Sequence, residues 1–205
     1  MSQFNSETSR RTVGHYSGRA REFWEGTRDH DVTQNRAALI AHLSGDGPHH
    51  ILDFGCGPGR DVHAFAQAGY VVTGLDGCAT FCEMAREFSQ CTILHQDFLA
   101  LDLPVATYDG IFANASLFHV PCDHLSVVLA QLRQSLNDKG VLFCSNPRGA
   151  DEEGWNGERY AAYHTLGSWR SRLESAGFEY LEHYYRPEGL PREQQPWLAS
   201  VWRKG

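Results

Sequence analysis

The sequence has no run near the ~18 consecutive apolar residues that a membrane span requires, so no bilayer-crossing helix is expected. Its six cysteines, Cys56, Cys78, Cys82, Cys91, Cys122 and Cys144, form no C-x-x-C pair and are read as reduced thiols. Eleven histidines show no H-E-x-x-H or comparable ligand spacing, and His49 and His50 are strand neighbours that point to opposite faces; no metal is expected. The net charge is −7 and no dense basic stripe is present, which removes the electrostatic term that drives nucleic-acid binding. The opening "MSQFNSETSRRTVGH" has no apolar stretch behind its polar start, so residues 1–15 read as a frayed arm rather than a secretory signal, and a cytoplasmic location is expected.

What is present suits one α/β domain. The apolar share of 41% and charged share of 21% over 205 residues are those of a globular chain with a sizeable core. Short apolar runs alternate with longer helical patterns, the rhythm of a parallel sheet covered on both faces. Strands are predicted at 49–55, 70–76, 91–97, 108–114 and 140–146, with helices at 59–68, 78–88 and 123–136. In the last helix Leu125, Val128, Leu129, Leu132 and Leu136 recur at core-facing spacing. Beyond Asn146 come a polar loop, "PRGADEEGWNGERY", a helix near 165–175, and two strands predicted to end the sheet as an antiparallel pair. Trp169, Trp197 and Trp202 read as core.

"ILDFGCGPGRD" places Asp53 at a strand end, then Gly55, Gly57 and Gly59 in a turn that opens a helix. Glycine permits positive φ and close ligand approach, and the helix start offers unpaired N–H groups. A dinucleotide fingerprint needs glycine at position 60; Arg60 stands there, which argues against NAD. Asp76 followed by Gly77 ends the second strand, where a carboxylate can accept both ribose hydroxyls. Asp97 with Phe98 ends the third, where an acid can accept the adenine amino group and a ring can cover the base. Singly, each acid reads equally well as a helix cap.

An acid and three glycines at this spacing resemble the first motif of class I S-adenosylmethionine-dependent methyltransferases, over roughly 49–147. The resemblance implies a Rossmann-like sheet of seven strands in order 3-2-1-4-5-7-6 with helices on both faces, S-adenosylmethionine as cofactor, and Ala113, Asn114 and Ala115 lining its methionine part. The flanks "FWEGTRDHDVTQN", "ANASLFHVP", "SNPRGADEEGWNGERY" and "HYYRPEGLPREQQPWLASVWR" look like the methyltransferase domain of ovothiol synthase. That resemblance implies methylation of the imidazole π nitrogen of 5-thiohistidine, or of 5-selenohistidine, supplied by a separate sulfoxide or selenoxide synthase because no such module is found here.

An imidazole amino acid calls for a cation at its carboxylate, an acid or amide at its ammonium, and flat walls around the ring. Arg148 and Arg186 are candidate carboxylate partners, Glu153, Asp31 and Asn146 candidate ammonium partners, and Trp155, Tyr160, Tyr184 and Phe118 candidate walls. His119, Asp31 and Tyr16 are candidates to orient the ring or take its proton, although His119 reads equally as a packed or capping residue. Residues 16–45 are expected to form a helical lid, its aromatics excluding water and Tyr16, Trp24, Arg28, His30, Asp31 and Asn35 meeting cofactor and acceptor. The chalcogen is the softer nucleophile, so selectivity for nitrogen requires orientation. A methyltransferase for another small metabolite and a non-catalytic cofactor-binding module are the alternatives.

Overall fold

The computed structural model describes residues 3–205, with side chains from Glu7 onward. Three helices come first, α1 (Gln3–Ser17), α2 (Ala20–Thr27) and α3 (Thr33–Ile40). The frayed arm expected over 1–15 is therefore helical from Gln3, and Thr8 and Thr12 are buried. Composition misled because α1 buries hydroxyls and an aromatic instead of an apolar stripe. Met1 and Ser2 lie outside the described residues.

The core alternates β1 (His50–Phe54), α4 (Arg60–Gln67), β2 (Val71–Asp76), α5 (Ala79–Ser89), β3 (Thr92–His95), β4 (Tyr108–Asn114), α6 (Cys122–Ser135) and β5 (Leu136–Pro147). Leu136, predicted at the end of a helix, pairs with Tyr108 as the first residue of β5. The predicted polar loop is partly a hairpin, β6 (Glu152–Asn156) and β7 (Arg159–Tyr163). Its signal was Gly157 ahead of Glu158: glycine at the first position of a two-residue hairpin turn takes the positive φ, here 63°, that the turn demands. Then follow α7 (Leu166–Ser175), β8 (Phe178–Arg186) and β9 (Trp197–Lys204).

The main sheet runs β3-β2-β1-β4-β5-β9-β8, with β9 antiparallel to both neighbours. With the two hairpin strands set aside, this is the predicted order. One face packs on α6 and α7 through Leu125, Leu129, Leu132, Trp169 and Leu173; the other packs on α3, α4 and α5 through Leu39, Val62, Phe65 and Ala85. Trp169 and Trp202 are core, as expected, and both indole N–H groups donate to the buried Ser200 hydroxyl at 3.1 and 2.9 Å. Trp197 is only partly buried.

Gly59 joins β1 to α4 at φ 93°, and a Cβ there would lie 2.8 Å from the Ala85 Cα. The third glycine of the loop thus lets α4 and α5 touch, and it does not line the ligand cleft. Gly59→Ala combines left-handed strain with backbone overlap and should cost about 2–4 kcal/mol. The expected result is a thermal midpoint lowered by roughly 5–15 °C for a domain of this length. An unchanged midpoint would remove that packing role.

Candidate functional site

The carboxyl ends of the parallel strands, where ligands bind in open α/β sheets, open into a cleft of about 730 Å³, its mouth included. Gly55, Gly57, Asp76, Gly77, Asp97, Phe98, Ala115 and His119 line it from the sheet side, and Tyr16 closes it from α1. Asp76 accepts backbone N–H groups from Gly57 at 2.9 Å and Cys78 at 2.8 Å, so it ties the glycine loop to the start of α5. Burial raises its pKa to about 6 against those bonds. Asp97 accepts from Leu99 N–H, and Phe98 stacks on Phe54 with centroids 4.3 Å apart. Ala115 holds φ 60°, and the adjacent Ser116 hydroxyl is buried without a partner. Two strand-end carboxylates for hydroxyl and amino donors, a stacked ring and an orphaned hydroxyl fit an adenosyl amino acid such as S-adenosylmethionine.

At one end of the cleft the Tyr16 hydroxyl lies 2.8 Å from His119 Nε2, and His119 Nδ1 lies 2.6 Å from the Tyr160 carbonyl oxygen. A carbonyl only accepts, so Nδ1 carries the proton, Nε2 is bare, and the Tyr16 hydroxyl donates to it. Burial depresses the His119 pKa to about 4, the Tyr160 carbonyl opposing and the Arg159 charge assisting, so the ring is neutral at pH 7. Burial also raises the Tyr16 pKa.

Residues 51–140 match the family model described as a methyltransferase domain. Trans-aconitate 2-methyltransferase of Azoarcus sp. (strain BH72) is 34% identical over 149 residues, 70% of this chain and 56% of its own length. That of Enterobacter sp. (strain 638) is 33% identical over 123 residues, 58% of this chain and 48% of its own. The chain spans about half the length of these curated relatives. The 1,6-didemethyltoxoflavin-N1-methyltransferase of Burkholderia thailandensis, solved with S-adenosylhomocysteine bound, superposes with a TM-score of 0.81 at 22% identity, covering 98% of this chain and 90% of that one. The chain carries a class I S-adenosylmethionine-dependent methyltransferase domain.

The first acid of the motif does not line the methyltransferase cleft. Asp53 is 3% exposed behind the glycine loop, where burial raises its pKa well above the usual carboxylate value, the Asp61 and Asp76 charges adding to the effect and Arg60 and the Val62 N–H opposing it. Trp24 and Arg28, expected at the cofactor, do not line the cleft: Trp24 packs on Phe88 with centroids 5.0 Å apart, and Arg28 is exposed beside Asp29 at 3.4 Å. Trp24 sits on the face of α2 turned to Phe88, and Arg28 caps the end of that helix.

Two residues predicted for the acceptor, Asn35 and Tyr184, meet Asn114, which was expected at the cofactor and does not line the cleft. Asn35 Nδ2 donates to Asn114 Oδ1 at 2.8 Å, and the Tyr184 hydroxyl donates to Asn35 Oδ1 at 2.9 Å, a chain joining α3, β4 and β8. Phe118 leans on His119 with centroids 4.0 Å apart. Asn146 is buried with both amide atoms unpartnered.

Several others are engaged elsewhere. Asp31 is exposed and accepts from the Thr33 N–H at the start of α3, which holds its pKa below the usual value, and His30 beside it is exposed too. Arg148 donates to the Gln195 and Arg192 carbonyls at 2.7 and 2.6 Å, and Arg186 to the Asp31 carbonyl at 2.7 Å. Glu153 accepts from the Cys122 N–H at the start of α6; burial acts to raise its pKa, and that bond with the Tyr160 hydroxyl outweighs it. Trp155 lies under Arg11, and the Tyr160 side chain turns to Glu153. These groups stitch loops and hairpin together, a use of polar residues that spacing does not distinguish from ligand binding.

Thr8, Ser9, Thr12, Val13, Cys78, Phe81, Leu99 and Ser116 also line the cleft and were missed, and Phe23, read only as a lid aromatic, lines it too. Thr8, Thr12 and Tyr16 recur every four residues and so share one helix face. Their spacing was legible; their polarity hid it. Among the described residues no cluster of three metal-ligating side chains occurs, and no helix is long and apolar enough to cross a membrane.

Proposed function

We propose that the domain methylates a ring nitrogen of a small imidazole amino acid, 5-thiohistidine or 5-selenohistidine. The hydrogen-bonded chain from the Tyr160 carbonyl through His119 to Tyr16 carries this reading. Tyr16 donates its hydroxyl hydrogen bond to His119, which leaves a lone pair of the phenol oxygen to accept an azole N–H. The other ring nitrogen then keeps its lone pair free. A neutral His119 neither repels nor protonates the incoming ring.

Bound S-adenosylmethionine supplies an electrophilic sulfonium methyl. The chain's own part is to fix the acceptor so that nitrogen, not the softer sulfur or selenium, faces that methyl. The Asn35, Asn114 and Tyr184 chain supplies polar contacts beyond the cleft, and Phe118 a flat wall. The ring-nitrogen chemistry named for the Burkholderia neighbour supports the same reaction type. A reaction that installs sulfur or selenium on histidine, by a separate synthase, must supply the acceptor. A second reading follows from the relatives named for trans-aconitate: methyl transfer to a carboxylate oxygen.

Incubation with methyl-labelled S-adenosylmethionine and, separately, 5-thiohistidine, 5-selenohistidine, histidine and trans-aconitate discriminates the two. The expected product carries the label on an imidazole nitrogen of the thio or seleno compound. Label on trans-aconitate alone establishes the second reading, and label on none sinks both.

A further inference from the structure

Arg159 opens β7 and directs its guanidinium to the Tyr16 end of the cleft. Its Nη1 is 3.5 Å from the Tyr16 hydroxyl, and its guanidinium carbon is 5.9 Å from the centre of the tyrosine ring. Nε is buried and has no partner. Among the described residues no carboxylate lies within ion-pair distance of this guanidinium, whereas Arg11 pairs with Glu158, Arg36 and Arg60 pair with Asp61, and Arg148 and Arg186 hold carbonyls. A guanidinium with a desolvated, unused N–H is costly unless an anion completes it, and its planar fork matches a carboxylate. Its charge already reaches the site, since it helps depress the pKa values of His119 and His15.

We propose that Arg159 anchors a carboxylate of the methyl acceptor, setting the acceptor's reactive atom beside Tyr16 and His119. This rests on methyl transfer as the domain's activity but not on which atom is methylated. Asp76 and Asp97 line the cleft as carboxylates, while Arg159 brings a cation to its Tyr16 wall. The acceptors that fit are small carboxylates, amino acids among them. A substrate with the same nucleophile and no carboxylate is disfavoured. The hairpin that brings Arg159 to Tyr16 is seated by the Tyr160 N–H on the Thr12 hydroxyl of α1 at 3.0 Å.

The test compares wild type, Arg159→Gln and Arg159→Lys, with S-adenosylhomocysteine affinity measured by titration calorimetry and steady-state kinetics for 5-thiohistidine and trans-aconitate. For whichever acceptor is turned over, the glutamine variant should raise KM by about 50-fold, the loss of one charge-assisted pair. The lysine variant should recover part of it, and the S-adenosylhomocysteine affinity should stay within about twofold. An unchanged acceptor KM overturns the proposal. So does a loss confined to S-adenosylhomocysteine affinity, which would give the cation to the methionine carboxylate. Equal use by wild type of 5-thiohistidine and its decarboxylated amine overturns it while leaving the ring-nitrogen reading intact; turnover of trans-aconitate with the Arg159 effect supports it while that reading fails. Absence of both turnover and binding for the two carboxylates, with S-adenosylhomocysteine bound, removes the carboxylate claim.

Discussion

Removing residues 1–17 abolishes methyl transfer while the sheet still folds. The truncation takes away Thr8, Ser9, Thr12, Val13 and Tyr16 from one wall of the cleft, together with the hydrogen bond from the Tyr160 N–H to Thr12. His119 Nε2 loses its donor, and Arg159 loses the hydroxyl it faces. The two large core clusters contain no residue of α1; only the small cluster of Ala20, Cys78 and Phe81 is uncovered. Opening the site to water and losing orientation together should lower kcat/KM by about four orders of magnitude. S-adenosylhomocysteine affinity should fall as well, while far-ultraviolet circular dichroism and a cooperative thermal transition persist. Retained turnover would return α1 to a peripheral role, and loss of the cooperative transition would make it part of the folding core.

Asp76→Asn weakens the cofactor by about 30- to 100-fold. Of the carboxylates lining the cleft, Asp76 is the one tied to both the glycine loop and the start of α5, and replacing it with an amide forfeits charge-assisted acceptance worth about 2–3 kcal/mol. The pH dependence checks the cause. Burial lifts the folded pKa from 3.8 to about 6, so the folded protein binds more protons than the unfolded chain between those values. This group's contribution to stability is full below pH 3.8 and is lost as pH rises through about 6. The ionised form present at pH 7 is the better acceptor for ribose hydroxyls. Wild-type affinity should therefore decline as pH falls below 6, approaching tenfold per unit, and the asparagine variant should show a flat profile there. Calorimetry near pH 6 in buffers of different ionisation enthalpy should detect proton release on binding. Parallel pH profiles for the two proteins would move the titration to another group.

The strand order and cofactor end were legible because each rests on local signals. The glycine turn directly follows one apolar run of strand length and Asp76 ends the next, and the backbone converts each local pattern into position. Gly55, Gly57, Asp76, Asp97 and Phe98 were found in this way. Asp53 and Gly59 belong to the same motif, yet one supports the loop from behind and the other admits a neighbouring helix. A motif marks a neighbourhood without saying which members touch the ligand.

The acceptor end was much less legible. Arg148, Glu153 and Arg186 have the charges an amino acid substrate requires, and each is satisfied by backbone groups of distant segments. Arg159 lay unremarked beside Trp155 and Tyr160 in the same hairpin. The sequence by itself determined the layer order, the glycines and acids that line the cleft from the sheet edge and the covered Trp169 and Trp202, since these depend on periodicity and on glycine's conformational range. Only the tertiary structure decided which polar residues face the cleft, because a hydrogen bond across more than a hundred residues, such as Tyr16 to His119, leaves no local trace. Charge and hydroxyl content say that a side chain must be satisfied; the packing of α1 against the hairpin decides whether protein or ligand does it.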